Sequence, residues 1–158
     1  MTRWQDVVEA EPDLAAEVLT IFDAHKHKTI ATLRKDGSPR LSGIEVDFLG
    51  GEATFGMMPA SKKAADLRRD PRTEIHSASV IEEGEEQSWA GDARISGRAR
   101  EVTDPEERKQ YTDAPPEAHP LFALDIARVV RIKLDGSPPH LLVQTWRPGE
   151  PLERAFAD

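Results

Sequence analysis

Thr29-Ile30-Ala31-Thr32-Leu33-Arg34-Lys35-Asp36-Gly37-Ser38-Pro39-Arg40-Leu41-Ser42 is the stretch that decides the fold. Its first five residues are β-branched and alternating, which predicts a strand. Asp36-Gly37-Ser38-Pro39 carries turn chemistry, because Gly allows a positive φ and Asp can bond its own downstream backbone. The run from Arg40 to Leu49 then puts Ile44, Val46 and Phe48 on one face, and Leu41, Gly43, Glu45 and Asp47 on the other. Gly50-Gly51 turns the chain again into Ala53-Thr54-Phe55-Gly56-Met57-Met58. Three short strands joined by tight turns predict an antiparallel meander.

Outward from this centre, Leu14, Val18, Ile21 and Phe22 recur at helical spacing and predict an amphipathic helix over about 11–25. Pro12 suits its first turn, where a missing N–H costs nothing. A second helix is expected from Ser61 to about Arg69, capped by Ser61 and stopped by Asp70-Pro71. Strands are expected from Thr73 to Ile81 and from Ser88 to Val102, the latter bent at Gly91 and Gly97. Glu82-Glu83-Gly84-Glu85-Glu86 between them reads as a solvated loop tip. Asp104-Pro105-Glu106-Glu107 opens a short helix, and Thr112 to Pro120 reads as a proline-rich loop. Two last strands, Arg128–Leu134 and His140–Trp146, flank the turn Asp135-Gly136-Ser137-Pro138-Pro139. Six or seven strands in hairpins predict a closed or nearly closed antiparallel barrel, since strands this polar on one face need their edges hidden. An open α+β sheet is the alternative. The expected layout is one domain over 1–158, with a helix at about 11–25, a barrel at about 28–147 and a short C-terminal tail.

Composition narrows the function classes. A chain of 158 residues suits one domain. The formal charge of -8 opposes a non-specific nucleic-acid binder, whose affinity rests on neutralising phosphates. Without cysteine there is no disulfide framework, zinc–thiolate site or thiol nucleophile. The first residues, Met1-Thr2-Arg3-Trp4, precede no apolar run of signal-peptide type, and no stretch approaches the roughly 18 apolar residues that span a bilayer. A cytoplasmic, soluble protein with no membrane partner is expected. His25 and His27 fall at a helix end among lysines, and the remaining histidines show no zinc spacing, so no metal site is expected.

One helix breaks a local rule. Lys62 and Lys63 occupy the first turn of the helix that begins after Ser61, where cations meet the positive end of the dipole. An anion at that end reverses the sign, with Ser61 and the first-turn amides as donors. A phosphate is the natural candidate, although no Walker pattern accompanies it. Both lysines pointing to water is the competing reading, and two adjacent lysines cannot share one helical face. The outward face of the second strand is small or polar at Ser42, Gly43 and Glu45, where a flat group could approach the backbone. A bulge or an ordinary exposed strand is the competing reading of that face, and on these residues alone the stronger one.

The stretch Thr29–Ser42 resembles the opening of the pyridoxamine 5′-phosphate oxidase-like, flavin split-barrel family. Its marks are an apolar strand with Ala-Thr, an Asp-Gly-x-Pro turn, and a strand carrying Ser. Ser61-Lys62-Lys63-Ala64-Ala65-Asp66-Leu67-Arg68-Arg69-Asp70-Pro71-Arg72 is similar to that family's phosphate-binding helix, and Ser96-Gly97-Arg98-Ala99 to a later strand. The resemblance implies a mainly β fold (α+β by count), a six-stranded antiparallel split β-barrel with peripheral helices. It implies a homodimer holding flavin mononucleotide (FMN) at its interface, and hydride transfer to or from a small-molecule substrate. The phosphate would lie against Ser61, Lys62 and Lys63, with Lys63 at the best-matching position. The ring would lie near Ser42, Gly43, Ile44 and Glu45, and near Gly56, Met57 and Met58. Trp89, Arg94 and Trp146 are candidates to close the ring from the partner chain. Coenzyme F-420 is the alternative cofactor in relatives of this size, and a non-catalytic flavin- or haem-binding protein is the alternative function. The oxidase's additional arginines and C-terminal segment, which bind the phosphate of its vitamin substrate, have no match here. No catalytic residue is assigned.

Overall fold

The computed structural model describes residues 1–80, 84 and 88–157. Its elements run α1 (Trp4–Ala10), α2 (Pro12–Asp23), β1 (Lys28–Leu33), β2 (Pro39–Ile44), β3 (Asp47–Leu49), β4 (Glu52–Gly56), α3 (Lys62–Arg69), β5 (Arg72–His76), β6 (Asp92–Glu101), α4 (Pro105–Arg108), β7 (Leu121–Asp135), β8 (His140–Trp146) and β9 (Glu153–Ala157). Antiparallel pairing gives the order β2-β1-β5-β6-β7-β4-β3, with β8 on β7 and β9 on β8.

The two ends of that order, β2 and β3, are consecutive in sequence and separated only by Glu45 and Val46. The single strand expected from Arg40 to Leu49 is therefore one strand whose first half pairs β1 and whose second half pairs β4. Counted as one, it makes the six-stranded split barrel with β1, β4, β5, β6 and β7. The ladder does not close, because Glu45 and Val46 pair with neither neighbour. The split continues in β7. Its first residues pair β4, its last seven pair β8, and β6 pairs it along most of its length.

Most predicted elements appear, with shifted limits. The strand expected at Thr73–Ile81 is β5, ending at His76, and Ile81 with the acidic residues Glu82, Glu83, Glu85 and Glu86 lies outside the described residues. The bend at Gly97 is a register shift between Ser96 and Gly97, where a Cβ would lie 2.0 Å from the Asp125 carbonyl oxygen. Three features differ from the expectation. α1 is an added helix, whose Asp6 carboxylate accepts the Arg3 amide at 2.6 Å. β7 begins at Leu121, seven residues before the expected Arg128, because its first four residues are buried on both faces and show no alternation. The expected tail contains β9, whose described residues are exposed throughout.

The core is continuous from the barrel to the helices. Phe55 and Phe122 stack at 5.9 Å across β4 and β7, and Phe22 of α2 meets Phe48 edge-on at 5.7 Å. Each fully buried phenylalanine contributes about 1.5–3 kcal/mol by leaving water. Glu17 of α2 bonds Arg131 of β7 at 2.5 Å, and Gln144 of β8 accepts from the same guanidinium at 3.2 Å.

α3 is held by a carboxylate. Asp66 is 3% exposed and accepts from Thr32 Oγ1 at 2.9 Å, Arg40 Nε at 2.7 Å and an Arg69 amino group at 3.0 Å. Burial raises the cost of its charge, and the donors from Arg40, Arg69 and Thr32 overcome that cost, so the carboxyl sits below its ordinary value of 3.8. A lowered carboxyl pKa stabilises the fold above the unfolded value, and that stability is lost as pH falls through the folded one. Asp66→Asn is expected to cost about 2–3 kcal/mol near pH 7, below the cost of a fully enclosed pair because Arg40 and Arg69 reach solvent. Urea unfolding against pH checks this: the gap between parent and variant should hold at neutral pH and shrink below about pH 4.

Candidate functional site

The head of α3 meets the end of β2. That placement comes from the buried side of α3, where Asp66 bonds Arg40 of β2 and Ala64 and Leu67 pack into the core. Ser61 is the N-cap residue in extended conformation, and its hydroxyl makes no capping bond to the helix. Its carbonyl accepts from Ala64 N at 3.1 Å, and its amide donates to the Met58 carbonyl at 3.0 Å. Lys63 reaches across to β2, where its Nζ donates to the Gly43 carbonyl. Burial, with no carboxylate partner among the described residues, pushes the Lys63 ammonium below its ordinary value. An anion beside it would oppose that shift by favouring the charged form.

Gly43, Ile44, Glu45, Gly56, Met57, Met58, Ser61 and Lys63 line one cavity of about 670 Å³. Eight of the residues expected around a phosphate and ring thus come together, from the ends of β2 and β4 and the start of α3. A volume of this size is in the range of small-molecule and cofactor pockets. A Cβ at Gly43 would meet nothing within 4 Å, so the backbone there faces open space. Glu45 sits at the rim, 3.4 Å from Lys26 Nζ and 3.6 Å from His27 Nε2.

The other expected residues lie elsewhere in the chain. Lys62 projects to the opposite side of α3, into a separate cavity of about 630 Å³ shared with Arg34, Lys35 and Arg40. Ser42 faces inward, opposite Ile30 in the ladder, and its buried hydroxyl has no partner. Trp89 borders a small cavity of about 120 Å³ beside α2. Arg94 is on β6, 3.9 Å from Glu74. Trp146 is only 3% exposed and belongs to the core cluster.

The cavity also has walls that sequence reasoning missed. Asp47 and Thr54 come from β3 and β4, His27 precedes β1, and Tyr111, Thr112, Ala118 and His119 come from the segment after α4. Strand glycine was the one available cue, because it marks close approach. At Gly56 an added Cβ would lie 2.9 Å from His119 Cδ2. Among the described residues no group of three or more His, Cys, Asp or Glu could hold a metal ion, and no helix is long and apolar enough to cross a membrane.

A family model described as pyridoxamine 5′-phosphate oxidase matches residues 14–132. No curated protein matches the chain. Among solved structures, a pyridoxamine 5′-phosphate oxidase-related, FMN-binding protein from Nostoc punctiforme superposes with a TM-score of 0.64 at 14% identity, covering 96% of this chain and 97% of its own. PhzG from Burkholderia lata, in complex with tetrahydrophenazine-1-carboxylic acid, gives 0.62 at 14% identity, with 100% and 97% covered. A heme-binding protein from Mycobacterium smegmatis gives 0.58 at 20% identity, covering 92% of this chain and 59% of its own. At these identities the likeness is one of fold.

If Lys63 serves a ligand and not the fold, its removal leaves the apo protein intact. Lys63→Ala relieves a cation at a helix N-terminus, a cost of about 0.3–1 kcal/mol. The apo melting temperature should be unchanged or rise by up to about 3 °C. A calorimetric scan showing a fall beyond about 5 °C would make Lys63 a structural clamp between α3 and β2.

Proposed function

The chain belongs to the pyridoxamine 5′-phosphate oxidase family, and from that membership and the cavity at the head of α3 we propose that it is an FMN-dependent oxidoreductase. The observation that carries this reading is the bond from Lys63 to the Gly43 carbonyl in a cavity that Ser61 also lines. A hydroxyl that makes no capping bond, first-turn amides and a partly buried ammonium with no carboxylate partner among the described residues form a cradle whose chemistry fits a phosphate. The remaining walls, Ile44, Met57 and Met58 with the backbone of Gly43 and Gly56, suit a planar ring with polar edges.

When bound, FMN supplies the hydride chemistry of such proteins. The chain's own residues do the rest. Ser61 and Lys63 would hold the phosphate, and Gly43, Ile44, Gly56 and Met57 would flank the ring. Ile44 and Met57 are buried and keep water from one side, whereas Met58, 77% exposed, is available to a second copy of the chain. A homodimer that closes the cavity, and a small-molecule substrate entering beside the ring, complete the proposal. Coenzyme F-420 is the alternative cofactor, because its phosphate group asks the same of Ser61 and Lys63.

The absorption spectrum and mass of the co-purifying cofactor separate these readings. Flavin bands bleached by a reductant and restored in air support the FMN enzyme, a deazaflavin mass supports the alternative, and a Soret band points to a haem carrier. Lys63→Ala should weaken FMN binding by about 1.5–3 kcal/mol, the range for a hydrogen bond to a charged group. Lys35→Ala, in the turn after β1, should leave it nearly unchanged. Titration by quenching of flavin fluorescence reads both, and full affinity in Lys63→Ala would displace the phosphate from this site.

A further inference from the structure

His119 is placed with more care than a loop histidine needs. The segment that carries it is tied down from two sides. Arg108 of α4 is 2% exposed and has no carboxylate partner among the described residues. Its guanidinium donates to three backbone carbonyls, those of His119 at 2.8 Å, Ala114 at 3.3 Å and Val102 at 3.4 Å. One residue on, the Pro120 carbonyl accepts the Met57 amide at 3.2 Å. The backbone on either side of the imidazole is thereby locked to α4 and to the end of β4.

The imidazole itself meets Gly56. A Cβ there would stand 2.9 Å from His119 Cδ2 and 3.3 Å from Nε2, so any side chain would push the ring away. Gly56 has no positive φ, and nothing in its backbone conformation requires glycine. The space is what requires it. Both residues line the same cavity, and the imidazole makes no hydrogen bond to any described residue. A polar ring held by backbone clamps, with its Nε2 edge unspent beside a cavity, is equipped to bond what enters.

We propose that His119 is a ligand-contacting residue of this cavity, which hydrogen-bonds the polar edge of the planar molecule lying against β4. Gly56 is a positioning residue that leaves room for it, and Arg108 fixes the segment from behind. The proposal rests on the cofactor reading of the cavity. The titratable groups that share the cavity are His27, Glu45, Asp47, Lys63 and Tyr111.

FMN titration of the full chain tests this in a double-mutant cycle. His119→Ala should raise the Kd about 2–12-fold, as expected for one hydrogen bond, and His119→Gln, which keeps a donor, should recover most of it. Gly56→Ala should weaken binding to a similar degree. In the His119→Ala background the same change should add less than about twofold, because the two residues act as one unit. In the ligand-free chain, Gly56→Ala should already shift the His119 imidazole signals in a proton–carbon spectrum. FMN affinity unchanged in His119→Ala overturns the proposal. An undiminished penalty of Gly56→Ala without the imidazole also overturns it, since Gly56 would then serve the ligand directly. The cofactor reading fails differently, by absence of saturable FMN binding to the parent, and takes this inference with it.

Discussion

A single buried carboxylate sets the position of the helix on which the site depends. Asp66 is on the buried side of α3, where an ionised group is costly unless several donors converge on it. Three do, and they come from three elements: Thr32 on β1, Arg40 on β2 and Arg69 at the end of α3. Arg69 also reaches the Leu33 carbonyl at the end of β1. These bonds have directions, whereas the apolar contacts of Ala64 and Leu67 allow sliding. The network therefore fixes both the rotation and the register of α3 over the first hairpin. Lys63 reaches Gly43 as a consequence, and Ser61 lines the same cavity.

The cavity lies at the seam of the split barrel. Glu45 and Val46 interrupt the ladder between β2 and β3, and β4 ends nearby at Gly56. A seam of this kind exposes backbone and small side chains that a continuous sheet would cover. Charge is distributed to match. The chain as a whole is acidic, at -8, yet the first turn of α3 is basic and has no acidic residue. On the proposed reading, lysines at the head of α3 on an acidic body would favour a small anionic ligand over a polyanion.

Much of this was legible where local chemistry decides structure. The turn at Asp36-Gly37-Ser38 forms as its residues require: the Asp36 carboxylate accepts the Ser38 amide at 3.0 Å, and Gly37 has a φ of 83°. Alternation from Leu41 to Asp47 translates directly into buried Ile44 and Val46 between exposed neighbours. α3 was readable from Ser61 and the Asp-Pro stop, and the separation of Lys62 from Lys63 follows from helix geometry. What was illegible depends on distant partners. The start of β7 is buried on both faces, so it carries no period. β9 is a strand because β8 offers an edge, not because its own residues alternate in burial. His119 and Tyr111 reach the cavity from a segment more than sixty residues beyond Gly43, and only the strand glycine at Gly56 hinted that something would pack there.

The central claim is that the head of α3 binds the phosphate of a flavin. Calorimetric titration of the ligand-free protein with FMN and with riboflavin, which differ only in that phosphate, tests it most directly. FMN should bind more tightly than riboflavin in the parent, and the difference should largely vanish in Lys63→Ala while riboflavin affinity stays the same. Equal affinity for the two ligands in the parent, or a preference for FMN that survives the loss of Lys63, would contradict the account.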